Sequence, residues 1–121
     1  MSIKVLVADD SGVMRKIIIR ALNSCGVTDI VEAADGAEAV DKFKSQGADL
    51  VMTDWNMPNK TGLEVAKEIR ASGSDVPIIM ITTEAETSRV KEAIQAGVND
   101  YLAKPFDNEL LKQKIDRFCC V

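Results

Sequence analysis

The chain has 121 residues, 46% hydrophobic and 28% charged, which suits one compact domain with a sizeable core and leaves no room for a second. Its 15 basic and 19 acidic residues give a formal net charge of -4, and no basic run is present to neutralise a phosphate backbone, which argues against direct nucleic-acid binding. The chain enters a strand-like run almost at once, without a signal-like leader or a run of membrane-spanning length, so a cytoplasmic protein without membrane insertion is expected.

Residues 3–8 form a short β-branched run that stops at Asp9-Asp10. Asp10 or Ser11 can cap the helix that follows, whose apolar Met14, Ile17, Ile18, Ala21 and Leu22 recur at helical spacing until Gly26. Residues 28–32 make a weaker strand. Asp35-Gly36 then turns into a helix with Ala39, Val40 and Phe43 inward, ended by Gly47.

The run Leu50–Asp54 reads as a strand buried on both faces, because it is almost continuously apolar and ends abruptly in an acid and a turn. Ligands of open α/β sheets collect beyond such strand ends. Taken alone, Asp54 is equally compatible with capping the turn made by Asn56, Pro58 and Asn59. After Gly62 a helix carries Leu63, Ala66 and Ile69 inward to about Ser72. Residues 76–81 form a fourth strand ending in Thr82, with Pro77 tolerated near its start. A fourth helix has Val90, Ala93 and Ile94 inward and stops at Gly97. Residues 100–103 lead to Lys104-Pro105, and Asp107 caps a last helix with Leu111, Ile115 and Phe118 on its inner face.

Five strands alternating with five helices imply a doubly wound, three-layer α/β sandwich, since parallel neighbours need right-handed crossovers that put helices on both faces. With the strand order 2-1-3-4-5, winding reverses between strands 1 and 3 and opens a crevice at their carboxyl ends. Asp9, Asp10 and Asp54 would meet there, with Thr82 and Lys104 on the adjoining side. A single strand-end polar group is usually just solvated. Five suitable residues on four strand ends point to chemistry.

Three clustered carboxylates repel and need a cation to stay ionised at neutral pH. An oxygen-only donor set favours a hard ion, and magnesium keeps room in its shell for water and phosphate. The formal charges of the three carboxylates, Lys104 and a divalent ion cancel, so a phosphoryl group could approach Asp54, and carboxylates do form aspartyl-phosphate intermediates. The absence of histidine and of Cys-x-x-Cys spacing removes the usual zinc site, and Cys25, Cys119 and Cys120 read as reduced thiols.

These residues together (Asp9-Asp10, Asp54 with Met57-Pro58 and Gly62, Thr82, and Lys104-Pro105-Phe106) resemble the receiver domain of two-component response regulators. The resemblance covers essentially the whole chain, which implies a flavodoxin-like fold and a single receiver domain over residues 1–121 without an output domain. Trp55, Asn56, Glu84 and Tyr101 match single-domain chemotaxis members of that family. The resemblance implies that Asp54 accepts phosphate and that Asp10, Asp54 and the Asn56 main-chain carbonyl bind Mg2+ directly, with Asp9 acting through water. It also implies that Lys104 pairs with a phosphoryl oxygen, aimed by a cis bond to Pro105, and that Thr82 donates its hydroxyl and moves on phosphorylation. Thr83 stands where many members carry a smaller residue, and Asn56, Glu84 and Trp55 flank the acceptor.

The implied partners of a monomeric switch are a sensor histidine kinase, a phosphatase, and an output partner such as a flagellar motor switch protein. The last would bind the face formed by the fourth helix, fifth strand and fifth helix, where Tyr101 is the movable part and Lys91, Lys112 and Lys114 are candidate contacts. One alternative is a phosphorelay intermediate that passes phosphate to a histidine phosphotransfer protein. The other, an aspartate-nucleophile phosphatase, is disfavoured because Asn56 occupies the place of its second acid.

Overall fold

The computed structural model describes residues 3–82, 87–103 and 108–119, with the backbone alone at 82, 87–89, 108, 118 and 119. Its elements run β1 (Lys4–Ala8), α1 (Gly12–Ser24), β2 (Asp29–Ala33), α2 (Gly36–Gln46), β3 (Leu50–Asp54), α3 (Gly62–Ala71), β4 (Ile78–Thr82), α4 (Thr87–Gln95), β5 (Asp100–Ala103) and α5 (Asn108–Cys119). The strands form one sheet in the order β2-β1-β3-β4-β5, and every pair is parallel. The doubly wound (βα)5 architecture expected from the alternation is therefore the one observed.

Side-chain alternation along the strands divides the core in two. Leu6 and Ala8 of β1, Val51 of β3, and Ile78 and Met80 of β4 pack with Ala39, Val40, Val65, Ala66, Ile69 and Ala93 of α2, α3 and α4. Val5 and Val7, Leu50 and Met52, and Ile79 and Ile81 face the other way, against Ile18, Ala21 and Leu22 of α1 and Leu111 and Ile115 of α5. Ile78, Ile79, Met80 and Ile81 are wholly buried. Each such side chain stabilises the fold by about 1.5–3 kcal/mol, which explains why the central strands read as unbroken apolar runs.

Local signals start the helices. The Ser11 hydroxyl accepts from the Met14 amide at 3.2 Å, which settles the cap of α1 in favour of Ser11 over Asp10. Asp35 Oδ1 accepts from the Glu38 amide at 2.7 Å. Thr61 and Glu64 form a reciprocal capping box at the start of α3. Arg70, near the end of α3, donates from Nη2 to the Gly97 carbonyl at 2.8 Å and to Asn99 Oδ1 at 2.9 Å, and from Nη1 to the Ser74 carbonyl at 2.9 Å. One side chain thus ties the end of α3 to the turn between α4 and β5.

Several expectations shift. β2 lies one residue later than predicted, because pairing Lys4 with Asp29 and Ala8 with Ala33 brings Ala33 into the core. β4 begins after Pro77, which has no amide hydrogen and instead accepts from the Val51 amide through its carbonyl at 2.9 Å. Ile17 is 46% exposed and Ile94 53% exposed, although both were expected to face inward. Each neighbours a residue that holds the centre of the buried stripe, Ile18 and Ala93, and a step of about 100° around the helix carries it to the rim. The Asp107 cap and the Phe118 side chain lie outside what the structure describes.

Two close approaches hold the loop after β3. A Cβ added at Gly36 would fall 2.1 Å from the Lys60 carbonyl oxygen, and one added at Gly62 would fall 2.2 Å from the Asp54 carbonyl oxygen and 2.8 Å from Met80 Sδ. Backbone cannot yield as a flexible side chain can. Gly62→Ala should therefore lower the urea midpoint by the equivalent of about 2–3 kcal/mol with little change in slope. An unchanged midpoint would show that the loop has slack.

Asp35 also generates a pH dependence. The hydrogen bond from the Glu38 amide, with help from Asn59 Nδ2 at 3.0 Å, holds its carboxyl below the ordinary value of 3.8. A depressed carboxyl contributes its stabilisation in full above the unfolded-chain value and loses it as pH falls through the folded one. Thermal melts below about pH 4 should consequently show Asp35→Asn losing less stability on acidification than the parent. Parallel acid profiles for the two proteins would refute this.

Candidate functional site

Register decides what meets at the carboxyl edge of the sheet. Ala8 pairs with Thr53, so the next residues, Asp9 and Asp54, come level, and Asp54 in turn pairs with Ile81, one residue before Thr82. Thr82 pairs with Ala103, the last residue of β5. Asp9, Asp10 and Asp54 each present a carboxylate oxygen, and these atoms all lie within 4.8 Å of one another.

The three acids differ in setting. Asp9 is 1% exposed, its amide donates to the Ala33 carbonyl at 3.1 Å, and its Oδ1 accepts from the Ser11 amide at 2.9 Å. The loop from β1 into α1 therefore winds around the Asp9 carboxylate. Asp10 is exposed and Asp54 half-buried. Asp54 Oδ1 accepts from the Trp55 amide at 2.9 Å, while the Trp55 carbonyl accepts from the Gly62 amide at 2.8 Å. The Thr53 hydroxyl donates to the Asp54 carbonyl at 3.0 Å. Asp54 is thus held by its own turn, as a capping acid would be, and still joins the cluster.

Around the acids, the sequence-predicted residues separate. Asn56, two residues after Asp54, is exposed. Trp55 is only 4% exposed and packs in the core on the α2, α3 and α4 side of the sheet. Thr82 ends β4, as expected from its strand, and only its backbone is described. Thr83, Glu84, Lys104 and Pro105 lie outside the described residues. Tyr101 on β5 is 36% exposed. Lys91 and Lys112 are exposed, whereas Lys114 donates to Asp100 Oδ2 at 2.9 Å and helps fasten α5 to β5. Cys25 is a free thiol, half-buried against the α1 side of the core.

One contact was not foreseen. Arg15, on the first turns of α1, donates from Nη1 to the Asp9 carbonyl at 2.6 Å and pairs through Nε with Glu32 Oε1 at 3.3 Å. Its spacing from the acids gave no hint, because the Glu32 contact depends on how β2 lies beside β1.

An edge of three convergent carboxylates offers oxygen ligands to a hard divalent ion and, at Asp54, an oxygen nucleophile. Among the described residues no helix is long and apolar enough to cross a membrane. Residues 5–116 match the family model of the response regulator receiver domain. The chain is 46% identical over 116 residues to a chemotaxis protein CheY homolog of Campylobacter jejuni, an alignment covering 93% of this chain and 89% of that protein.

Two solved structures are comparably similar. Chemotaxis response regulator CheY4 of Vibrio cholerae superposes with a TM-score of 0.90 at 34% identity, covering 98% of this chain and 99% of that one. The receiver domain of the sensor histidine kinase PA1611 of Pseudomonas aeruginosa, solved with magnesium coordinated in its active-site cleft, gives 0.90 at 33% identity over 100% of both chains. With the sheet order, the acidic edge and these matches in agreement, the chain belongs to the response regulator receiver domain family and is a CheY-like signalling domain.

Proposed function

We propose that this chain is a phosphorylation-activated switch of a chemotaxis-type two-component system, with Asp54 as the phosphoryl acceptor. The observation that carries the reading is the convergence of Asp9, Asp10 and Asp54 at the ends of β1 and β3. Their oxygen-only chemistry and mutual distances fit magnesium, which the similar receiver of Pseudomonas aeruginosa also holds. Asp10, Asp54 and the Asn56 main-chain carbonyl would hold it, with Asp9 acting through water. Magnesium, when bound, neutralises charge on the acidic edge and on phosphoryl oxygens.

The protein's own residues then do the rest. A carboxylate oxygen of Asp54 attacks phosphorus, the bond from phosphorus to the donor breaks, and the donor leaves with the bonding pair. The donor is a phosphohistidine of a sensor kinase or a small acyl phosphate. Lys104 pairs with a phosphoryl oxygen and the Thr82 hydroxyl donates to another, so that positioning and charge neutralisation supply the catalysis. Water later attacks the acyl phosphate, releases inorganic phosphate and restores the carboxylate. Asn56, Thr83 and Glu84 set its access, with a phosphatase partner as a further influence.

Incubation with acetyl phosphate and magnesium should raise the intact mass of the parent by one phosphoryl group and leave Asp54→Ala unchanged. Uptake by the variant at the parental rate would overturn the assignment.

The output reading places partner binding on α4, β5 and α5. Movement of Thr82 toward phosphate would vacate space into which the half-exposed Tyr101 ring turns, biasing an equilibrium that exists beforehand. A motor switch protein or other output partner gains only its preference for the inward form, about 1–3 kcal/mol of coupling. Beryllofluoride, as a phosphate mimic, should strengthen partner binding several-fold in the parent and much less in Tyr101→Ala or Thr82→Ala. Equal strengthening in all three would exclude the threonine–tyrosine link while leaving Asp54 intact as acceptor.

A further inference from the structure

The residues assigned so far to the acidic edge would meet the metal or the phosphoryl group directly or through water. Arg15 would meet neither, yet it is bound to the peptide on which two of those residues stand. Its Nη1 donates to the Asp9 carbonyl at 2.6 Å, and that carbonyl belongs to the peptide plane joining Asp9 to Asp10. Its Nε faces Glu32 Oε1 at 3.3 Å, so the guanidinium is gripped from the β2 side as well. The side chain is only 20% exposed. Glu32 is itself placed by its pairing with Val7 and by a hydrogen bond from Lys42 Nζ of α2 to its carbonyl at 2.5 Å.

We propose that Arg15 and Glu32 are positioning residues for the magnesium-binding edge, clipping the Asp9–Asp10 peptide to β2 so that both carboxylates are presented in a fixed orientation. The inference rests on the magnesium reading given above. A planar fork suits this task, because one guanidinium can bond the carbonyl and the carboxylate at once, whereas an ammonium is a single point donor. Outer partners of this kind orient the groups that do the ligating, and their loss typically weakens metal binding.

A competing account treats Arg15 as no more than a nearby positive charge. The two accounts differ in sign. A bystander cation repels a divalent ion, so its removal should tighten magnesium binding, and the effect should fade with salt. A clip stiffens the ligand frame, so its removal should weaken binding.

Magnesium titrations followed by Trp55 emission would decide between them, using the parent, Arg15→Ala, Arg15→Lys and Glu32→Gln, with Asp10→Ala as the control that should not respond. The clip predicts about tenfold weaker binding in Arg15→Ala and a clear weakening in Arg15→Lys despite its retained charge. Glu32→Gln, which touches only the outer grip, should weaken binding by about threefold.

The rate of phosphoryl uptake from acetyl phosphate supplies a second readout. The magnesium concentration giving half the maximal rate should rise in the variants, while the rate at saturating magnesium stays near that of the parent. Melts without magnesium establish that each variant is folded, and if Arg15→Ala is not, Arg15→Lys and Glu32→Gln carry the test. Binding in the folded Arg15 variants that equals or exceeds the parent's, or a lowered maximal rate at unchanged half-saturation, would overturn the clip alone. A parent that gives no response to magnesium would overturn the metal reading and the clip with it.

Discussion

The pairing of Ala8 with Thr53 sets Asp9 and Asp54 side by side, and the carboxyl edge of the sheet is organised around the repulsion that follows. Carboxylates whose oxygens lie within 4.8 Å of one another oppose each other when ionised, less where Asp10 meets solvent. Asp9 and Asp54 are not free to swing apart, because both side chains are held by hydrogen bonds to their own turns. The fold tolerates the cost because the same ladder that creates it buries the apolar residues of β1, β3 and β4. What partly offsets it is polar backbone: the Ser11 and Trp55 amides point at the carboxylates, and α1 begins immediately beyond them with the positive end of its dipole.

Around that edge the scaffold is stiff where the acids are planted and tied at a distance where the chain turns. Gly62 allows α3 to begin against the Asp54 carbonyl, and Gly36 allows α2 to begin against the Lys60 carbonyl, so the β3–α3 loop is pressed between two helix starts. Lys60 adds a close ion pair to Glu68, which holds its ammonium above the ordinary range. On the far side, Arg70 collects carbonyls from the turns before β4 and β5. The Arg70 contacts lie away from the acids, whereas Gly62 abuts the main chain of Asp54 itself. Both bear on how firmly the elements that carry the acidic edge are held.

Most of this was legible in the sequence. A parallel sheet covered on both faces forces apolar runs onto the strands and a 3.6-residue stripe onto the helices, and those periods survive in Leu50–Asp54, in 78–81 and in Ile18, Ala21 and Leu22. The acids could be found because they interrupt apolar runs at strand ends. The errors have a common origin in lateral placement. Ile17 and Ile94 satisfy the helical period and still fall on the rim, since the width of the buried stripe is set by neighbouring elements. Arg15 and Glu32 stand 17 positions apart in the chain, and only the β1–β2 register brings them together. The burial of Trp55 was equally hidden, because a residue one step past a strand end can turn either way.

The division of the core by the sheet has a bearing on how this protein can be watched. Its single tryptophan lies in the layer shared by α2, α3 and α4, and its single tyrosine sits outside both layers on β5. Indole emission is therefore an observer of one compartment. Loosening of α1 and α5 around Leu22, Leu111 and Ile115 would register in backbone ellipticity while leaving the indole in its native surroundings. Optical and chiroptical transitions that coincide would then mean the two layers melt as a unit, and transitions that separate would resolve, on one chain without labels, the order in which the sheet loses its two coats.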